Sequence, residues 1–575
     1  MDTDNPQGYA AMPKPPAPLR RNVIRYLASV PLLPLASIGR AYAAATFPSP
    51  GLGPDFDAAV ADLKLVEDMR FGTRAVAGGS AGIALRTLDD IASRFNPLEG
   101  DFTPSGGHQG GTGPGTINSE VQRYATQFNP QNHVLEADGL RLQAVLNGGH
   151  FLSYLRGNVD RAGNGFNAGA EGASAPTLLA DIGLTARALA EIEVGTCIVG
   201  GSSSGLAVVV AKDASAGTIT FEAVSSGLKT AYKGNWHVTF TKFAFARVAI
   251  DVPNGTASTV KFKTPLASAV VPGMFAMGVV GAPGYFNDPQ ASDRARVASI
   301  SADRLTVTFD QPFRCGRPLK AQAADGSNSG DGILFVPGLS SGQIWSKRPY
   351  GPQRPGFQAQ ALEVAISMPA MPHFVGGGFY TKTAIDKAMA SAPGVLWGYW
   401  PAVWFYSFNP QRIRATPTPS PEVDVFELFT RVTTGPSTWT GYLHTQPYQR
   451  KVATPDASKR SISGGSWEGT PSGNSNHDIQ TRNAGALVLP KPLADGKKRT
   501  VGVVWTMDKV VHYLDGVAIA ESDWPTAPGL PHQLGINMAC GSLSSGNVSA
   551  LFFPQTDAQA TGQFLTVHSI KTWEL

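Results

Sequence analysis

Apolar and polar residues alternate at period two over much of this chain, in short runs separated by Gly, Pro, Ser and Asn, which predicts strands joined by turns. Clear cases are GLAVVVAKD (205–213), HVTFTKFAFARVAI (237–250), RLTVTFDQPF (304–313), RTVGVVWTMDKVVHYLDG (499–516) and FLTVHSIKTWEL (564–575). Asp515-Gly516 is a hairpin signal, because both residues tolerate positive φ. Helix periodicity is scarce. DAAVADLKLVEDMRF (57–71) fits an amphipathic helix, and AVAGGSAGIA (75–84) reads as a connector. The character of the pattern changes twice. Strand-and-turn sequence over 96–155 gives way to a different β-rich stretch over 156–338, and the first pattern returns over 339–575. The predicted organisation is an N-terminal helix and linker (46–95), one β-sandwich in two pieces (96–155 and 339–575), and a β-rich module inserted between them. That module carries neither a carboxylate pair on one face nor metal-ligand spacing, so it reads as structural or glycan-binding.

With 575 residues the chain is long enough for more than one core. Charged residues are 16%, while Gly (64) and Pro (44) are abundant, in keeping with a turn-rich β protein. The first 45 residues have the three-part layout of an export signal: a basic stretch, the apolar run YLASVPLLPLASIG, and small residues at Ala41 and Ala43. Arg20-Arg21 before Val23-Ile24 resembles the twin-arginine type. The expectation is a bacterial protein that works in the periplasm or outside the cell. Without residues 1–45, which hold five Lys/Arg and two Asp/Glu, the formal charge of +4 falls to +1, so charge makes no case for nucleic acid. Nor is stable membrane association expected after signal cleavage. Three cysteines permit one bridge at most, with Cys197–Cys315 the favoured pair.

The chemistry concentrates in PEVDVFELF, where Glu422, Asp424 and Glu427 sit among Val, Phe and Leu. On a regular strand Glu422 and Asp424 share a face and Glu427, five residues from 422, points to the other. A β-bulge at Val425-Phe426 inserts one unpaired residue and returns Glu427 to the face of Glu422. Three acids on one face raise one another's pKa, so one stays protonated while another ionises, which is what glycoside hydrolysis requires. The alternative is a charged outer face of an edge strand. Trp397, Trp400 and Trp404 lie just upstream, with Trp400 and Trp404 on one face, either as stacking surfaces for sugar rings or as core.

Glu422-Val-Asp-Val-Phe-Glu427 resembles the bulged signature of glycoside hydrolase family 16. The likeness extends to Trp400-Pro-Ala-Val-Trp404, to the Trp505-to-Gly516 strand pair and to Gln533 to Gly541. It also takes in Asn118-Ser-Glu-Val-Gln-Arg-Tyr124 with Glu136-Ala-Asp-Gly-Leu140 near the start. The resemblance implies a mainly β, concanavalin A-like jelly roll split by the 156–338 insertion. It further implies a retaining mechanism in which Glu422 is the nucleophile, Glu427 the general acid/base, and Asp424 holds and tunes Glu422. His444, on the strand expected to follow, would bond a carboxylate or the substrate. Trp400, Trp404, Asn118 and Asn537 would line the cleft.

Three departures stand out. The family's Glu-x-Arg is Glu363-Val-Ala365 here. Cys540-Gly-Ser-Leu543 lacks the usual aromatic. His568 stands where an aspartate of a structural calcium site often starts the last strand, so calcium is not assumed here, and no cofactor is expected. The implied activity is endo-hydrolysis of a β-linked polysaccharide. Glucan is favoured over galactan because no basic cluster for sulfate accompanies the motif. A transglycosylase remodelling exopolysaccharide or cell-wall glycan, or a glycan-binding protein without catalysis, are the alternatives.

Overall fold

The structure is a computed structural model. It describes residues 54–97, 122–151, 156–159, 174–178, 184, 186–200, 205–224, 236–280, 285–286, 295–314, 318–321, 330–351, 357–371, 396–406, 422–428, 443–444, 447–448, 461–463, 466–468, 486–487, 494–506, 509–523, 532–540, 554 and 556–575. The export signal, Asn118 and Cys315 lie outside the described residues.

The protein is mainly β, a jelly-roll sandwich split by a large β-rich insertion. One sheet, here the site sheet, has six strands in the order Pro447–Tyr448, Glu422–Glu427, Tyr399–Tyr406, Gln533–Cys540, Gln343–Ser346, Phe95–Asn96. The facing sheet has nine, centred on the chain's last strand, Phe564–Glu574, which pairs with Lys64–Phe71 on one side and Ala359–Ser367 on the other. Their inner faces meet in one core. Leu362, Val364, Val501, Val503, Leu565 and Val567 come from the facing sheet, and Val403, Phe405, Val423, Leu534 and Ile536 from the site sheet. Between register shifts, alternate residues on each strand supply this core, as half-buried strands require. Asp515 and Gly516 take φ values of 50° and 80° between the paired strands Lys509–Leu514 and Val517–Asp523, the hairpin that their chemistry predicts.

The helix expected over 57–71 is a correction. Only Phe56–Ala59 is helical, and Lys64–Phe71 is a strand of the facing sheet. Its apolar positions suit either period, and tertiary partners decide: the strand pairs with Phe564–Glu574, and Glu67 is buried against Arg348 (2.7 Å). The short helix instead covers the outer side of the facing sheet, where Phe56 meets Tyr513 and Trp573 edge-on at 5.1 and 5.4 Å. Within the expected connector, Gly82–Leu85 pairs with Lys64–Phe71, followed by a helix, Leu88–Arg94, capped reciprocally by Thr87 and Asp90.

Among the described residues, the strands between Arg156 and Val336 pair with one another alone, as a nine-stranded and a three-stranded sheet. The core of this insertion, however, is shared with the sandwich. On its central strands Phe243, Phe245, Phe275, Met277, Leu334 and Val336 join the sandwich core. Their alternates Ala244, Ala246, Ala276, Ile333 and Phe335 form a second core with Val260, Val297 and Val307 of the three-stranded sheet. The two connecting segments run side by side: Asn147 N donates to Gly338 O (2.8 Å) and Gly338 N to Gly148 O (2.7 Å). Glycine is required at this crossing, because a Cβ on Gly148 would lie 2.4 Å from Pro272 O and one on Gly338 2.1 Å from Gly273 O. Cys197 is a free thiol in the shared core, where burial pushes its pKa up, and its expected bridge partner Cys315 lies outside the described residues.

Candidate active site

Register fixes the site. The strand Glu422–Glu427 pairs with Tyr399–Tyr406 so that Glu422, Val423 and Asp424 oppose Tyr406, Phe405 and Trp404, whereas Phe426 and Glu427 oppose Val403 and Ala402. Val425 is the extra residue, and the shift falls between Val403 and Trp404. The core confirms the parity: Val423, Val425 and Phe426 are all buried in it, so two consecutive residues face inward where a regular strand would allow one. Glu422, Asp424 and Glu427 therefore oppose 406, 404 and 402, alternate positions of one strand, on the face away from the sandwich core.

Rows across the sheet follow from the remaining pairings. Glu427, Ala402, Asn537 and Gln343 form one. Asp424, Trp404, Gly535, Trp345 and Asn96 form the next, and Glu422, Tyr406 and Gln533 a third. The middle row is an aromatic layer. Trp345 and Trp404 pack edge-on with centroids 4.9 Å apart and an interplanar angle of 74°. Gly535 lies beneath the Trp345 ring, where a Cβ would come within 2.5 Å of the indole. Glycine is what lets the ring lie down across the strand.

Hydrogen bonds lock this layer to its neighbours. Trp404 Nε1 donates to Asn537 Oδ1 (2.7 Å), and Asn537 Nδ2 donates to the Tyr124 hydroxyl (2.7 Å). Trp345 Nε1 donates to Gln343 Oε1 (3.0 Å), and Cys540 N donates to Gln122 Oε1 (2.7 Å). Trp400, Trp404 and Asn537 are 5%, 7% and 6% exposed, so they are buried beside the acid strand rather than open stacking surfaces, with Trp404 and Asn537 bonded to each other. Behind Gln343, His133 Nε2 lies 3.0 Å from the Gln343 carbonyl while Asn129 N donates to Nδ1 at 3.5 Å. That pattern requires the neutral Nε2–H tautomer, and burial pushes the His133 pKa down to about 4.

His444 lies on Leu443–His444, which pairs with Ala486–Leu487 in a separate two-stranded sheet. Leu443–His444 is the next described strand in chain order and runs close to the acid strand, while the strand hydrogen-bonded to the acid strand is Pro447–Tyr448, with Tyr448 opposite Glu422. Glu363 takes its cation from another strand: Lys571 opposes it in register and bonds it at 3.3 Å. His568 bonds Ser367 Oγ at 2.9 Å and the Asp138 carbonyl. Among the described residues no group of three His, Cys, Asp or Glu is disposed to hold a metal. Tyr124, Gln343 and Trp345 were not singled out from sequence. Their roles depend on partners such as Asn537, 413 residues from Tyr124.

No family model matches the chain, and no curated protein matches it. Among solved structures it is similar to BuGH16Bwt, at 12% identity and a TM-score of 0.26 over 53% of this chain and 76% of that one. An endo-β-1,3-glucanase from Pyrococcus furiosus matches at 18% identity and 0.23, over 43% and 70%. The κ-carrageenase from Pseudoalteromonas carrageenovora, in complex with an oligotetrasaccharide of κ-carrageenan, matches at 15% and 0.25, over 58% and 88%. Likeness at this level carries no argument about function, and the fold rests on the strand order and register above.

Proposed function

We propose that the protein is a retaining endo-glycoside hydrolase that cleaves a β-linked polysaccharide, with β-glucan the favoured substrate. The observation that carries this reading is the bulged register, which brings three carboxylate positions to one face of one strand. In the first step the Glu422 carboxylate attacks the anomeric carbon while Glu427 gives its proton to the departing glycosidic oxygen. In the second, Glu427 takes a proton from water as that water displaces Glu422, restoring both groups. Asp424 stands between them, where its charge and hydrogen-bonding capacity hold Glu422 and favour a protonated Glu427.

Distance constrains the reading. The partners of Glu422 and Glu427 are four residues apart, roughly 13 Å at the rise of a strand. Retaining hydrolysis needs carboxyl groups about 5–5.5 Å apart. The reading therefore has both glutamates inclining toward each other over Asp424, which the register sets opposite Trp404. The enzyme would act after twin-arginine export, in the periplasm or outside the cell.

The test is a panel of purified β-linked polysaccharides with product linkage determined. Glu422→Gln abolishes reducing-end release on whichever polysaccharide the native enzyme cleaves and leaves the thermal transition in place. Undiminished turnover by that variant would sink the assignment.

A further inference from the structure

The insertion touches the site sheet through a two-residue strand. Arg123–Tyr124 pairs in parallel with Ser340–Ser341, on the segment by which the chain leaves the insertion. That segment pairs in turn with Val145–Leu146, on the way in. Ser340 Oγ accepts from Asn132 Nδ2 and Asn147 Nδ2, both at 3.1 Å, so entry, exit and the short strand are bonded as one unit. The guanidinium of Arg123 lies over the ring of Phe275, 5.8 Å from its centroid. Phe275 belongs to the insertion, is fully buried, and takes a second guanidinium, Arg296, at 5.5 Å. The next residue, Tyr124, holds Asn537, which holds Trp404 opposite Asp424.

We infer that the inserted β unit positions the acid-bearing strand, with Phe275 as a positioning residue acting through Arg123 and Tyr124. This rests on the hydrolase reading for its kinetic consequence and on geometry alone for its structural one. Three observations support a brace rather than a tethered binding module. The insertion's sheet shares the sandwich core. Its connections cross at glycines with no room for a side chain. Asp557, at the start of the helix before the last strand, accepts from Phe151 N at 2.7 Å and bonds His150 Nδ1 at 2.7 Å, pinning the entry segment again. A binding module would need none of these.

The experiment uses the full chain with Arg123→Met, Phe275→Leu, their double variant, and Tyr124→Phe. Each is assayed on a polysaccharide that the native enzyme cleaves and followed by hydrogen exchange. A cation over an aromatic face contributes modestly, so each of the first two lowers kcat about three-fold with KM unchanged. The double variant is no worse than the worse single one, because both break the same contact. Tyr124→Phe lowers kcat about five-fold, the scale of one buried hydrogen bond. All four quicken amide exchange in 399–406 and 533–540. Multiplicative losses in the double variant, or faster exchange confined to 236–336, would overturn the brace. If instead the native enzyme cleaves nothing on the panel, the hydrolase reading fails while the exchange result still decides the brace.

Discussion

Gly535→Ala offers a sharp test of the layer beneath the acids. The added Cβ would stand 2.5 Å from the Trp345 indole, and its three nearest neighbours are all atoms of that ring. Normal carbon contact is about 3.5–4.0 Å, so the ring must retreat by at least about 1 Å. It has nowhere free to go, being fully buried and edge-on to Trp404. Overpacking of this kind costs about 1–3 kcal/mol, against which removing a glycine from the unfolded chain returns about 0.4–1 kcal/mol. A net loss of about 1–2 kcal/mol is expected. Trp345→Leu alone loses about 2–4 kcal/mol of buried aromatic packing. In the double variant the new methyl enters space that the indole vacated, so the combined loss falls short of the sum by about 1 kcal/mol or more. Calorimetric midpoints of the four proteins provide the cycle, and kcat should follow it because Trp404 lies opposite Asp424. A fully stable Gly535→Ala, or strict additivity, would refute the packing of Trp345 across Gly535.

Deleting Val425 removes the extra residue and leaves a four-residue spacing, so a straightened strand keeps Glu422 and Glu427 on one face. The variant loses about 1.5–3 kcal/mol of valine burial but retains measurable turnover on the native enzyme's substrate. Deleting Val425 and Phe426 together sends Glu427 to the core face and abolishes activity, and equal activity in the two deletions would contradict the register. Acid should loosen the sandwich through His133 and His532, whose folded pKa values burial lowers to about 4 and about 3. Each binds its proton in the unfolded chain near pH 6.5 but not in the folded one, so stability is full above that pH. It falls as pH drops from about 6.5 toward 4, by about 3 kcal/mol from His133 alone. Thermal midpoints across that range should show the slope, and His133→Gln should flatten part of it; an unchanged slope would mean that His133 is not held neutral.

What the sequence revealed and what it concealed divide along physical lines. The bulge was legible because parity is a local property: two acids five positions apart on an apolar strand cannot share a face without an extra residue. The Asp515-Gly516 hairpin was legible for the same reason. Lys64–Phe71 was misread because its buried Glu67 looks like the polar face of a helix until Arg348, distant in sequence, supplies the partner. The ion pair of Glu363 with Lys571 and the bond of Tyr124 to Asn537 depend likewise on strands that only the fold brings together. The insertion was recognisable by its change of pattern. That its sheet is apolar on both faces, serving two cores, follows from packing and not from alternation alone.

The central claim is that Glu422, brought to the face of Glu427 by the bulge, forms a covalent bond to the sugar. Mass spectrometry of the enzyme treated with an activated 2-deoxy-2-fluoro glycoside of the sugar that it cleaves measures this directly. The account predicts one glycosyl adduct per chain, on the proteolytic peptide containing Glu422, absent in Glu422→Gln. Inactivation with the adduct on another residue, or steady hydrolysis with inversion at the anomeric carbon and no adduct, would contradict it.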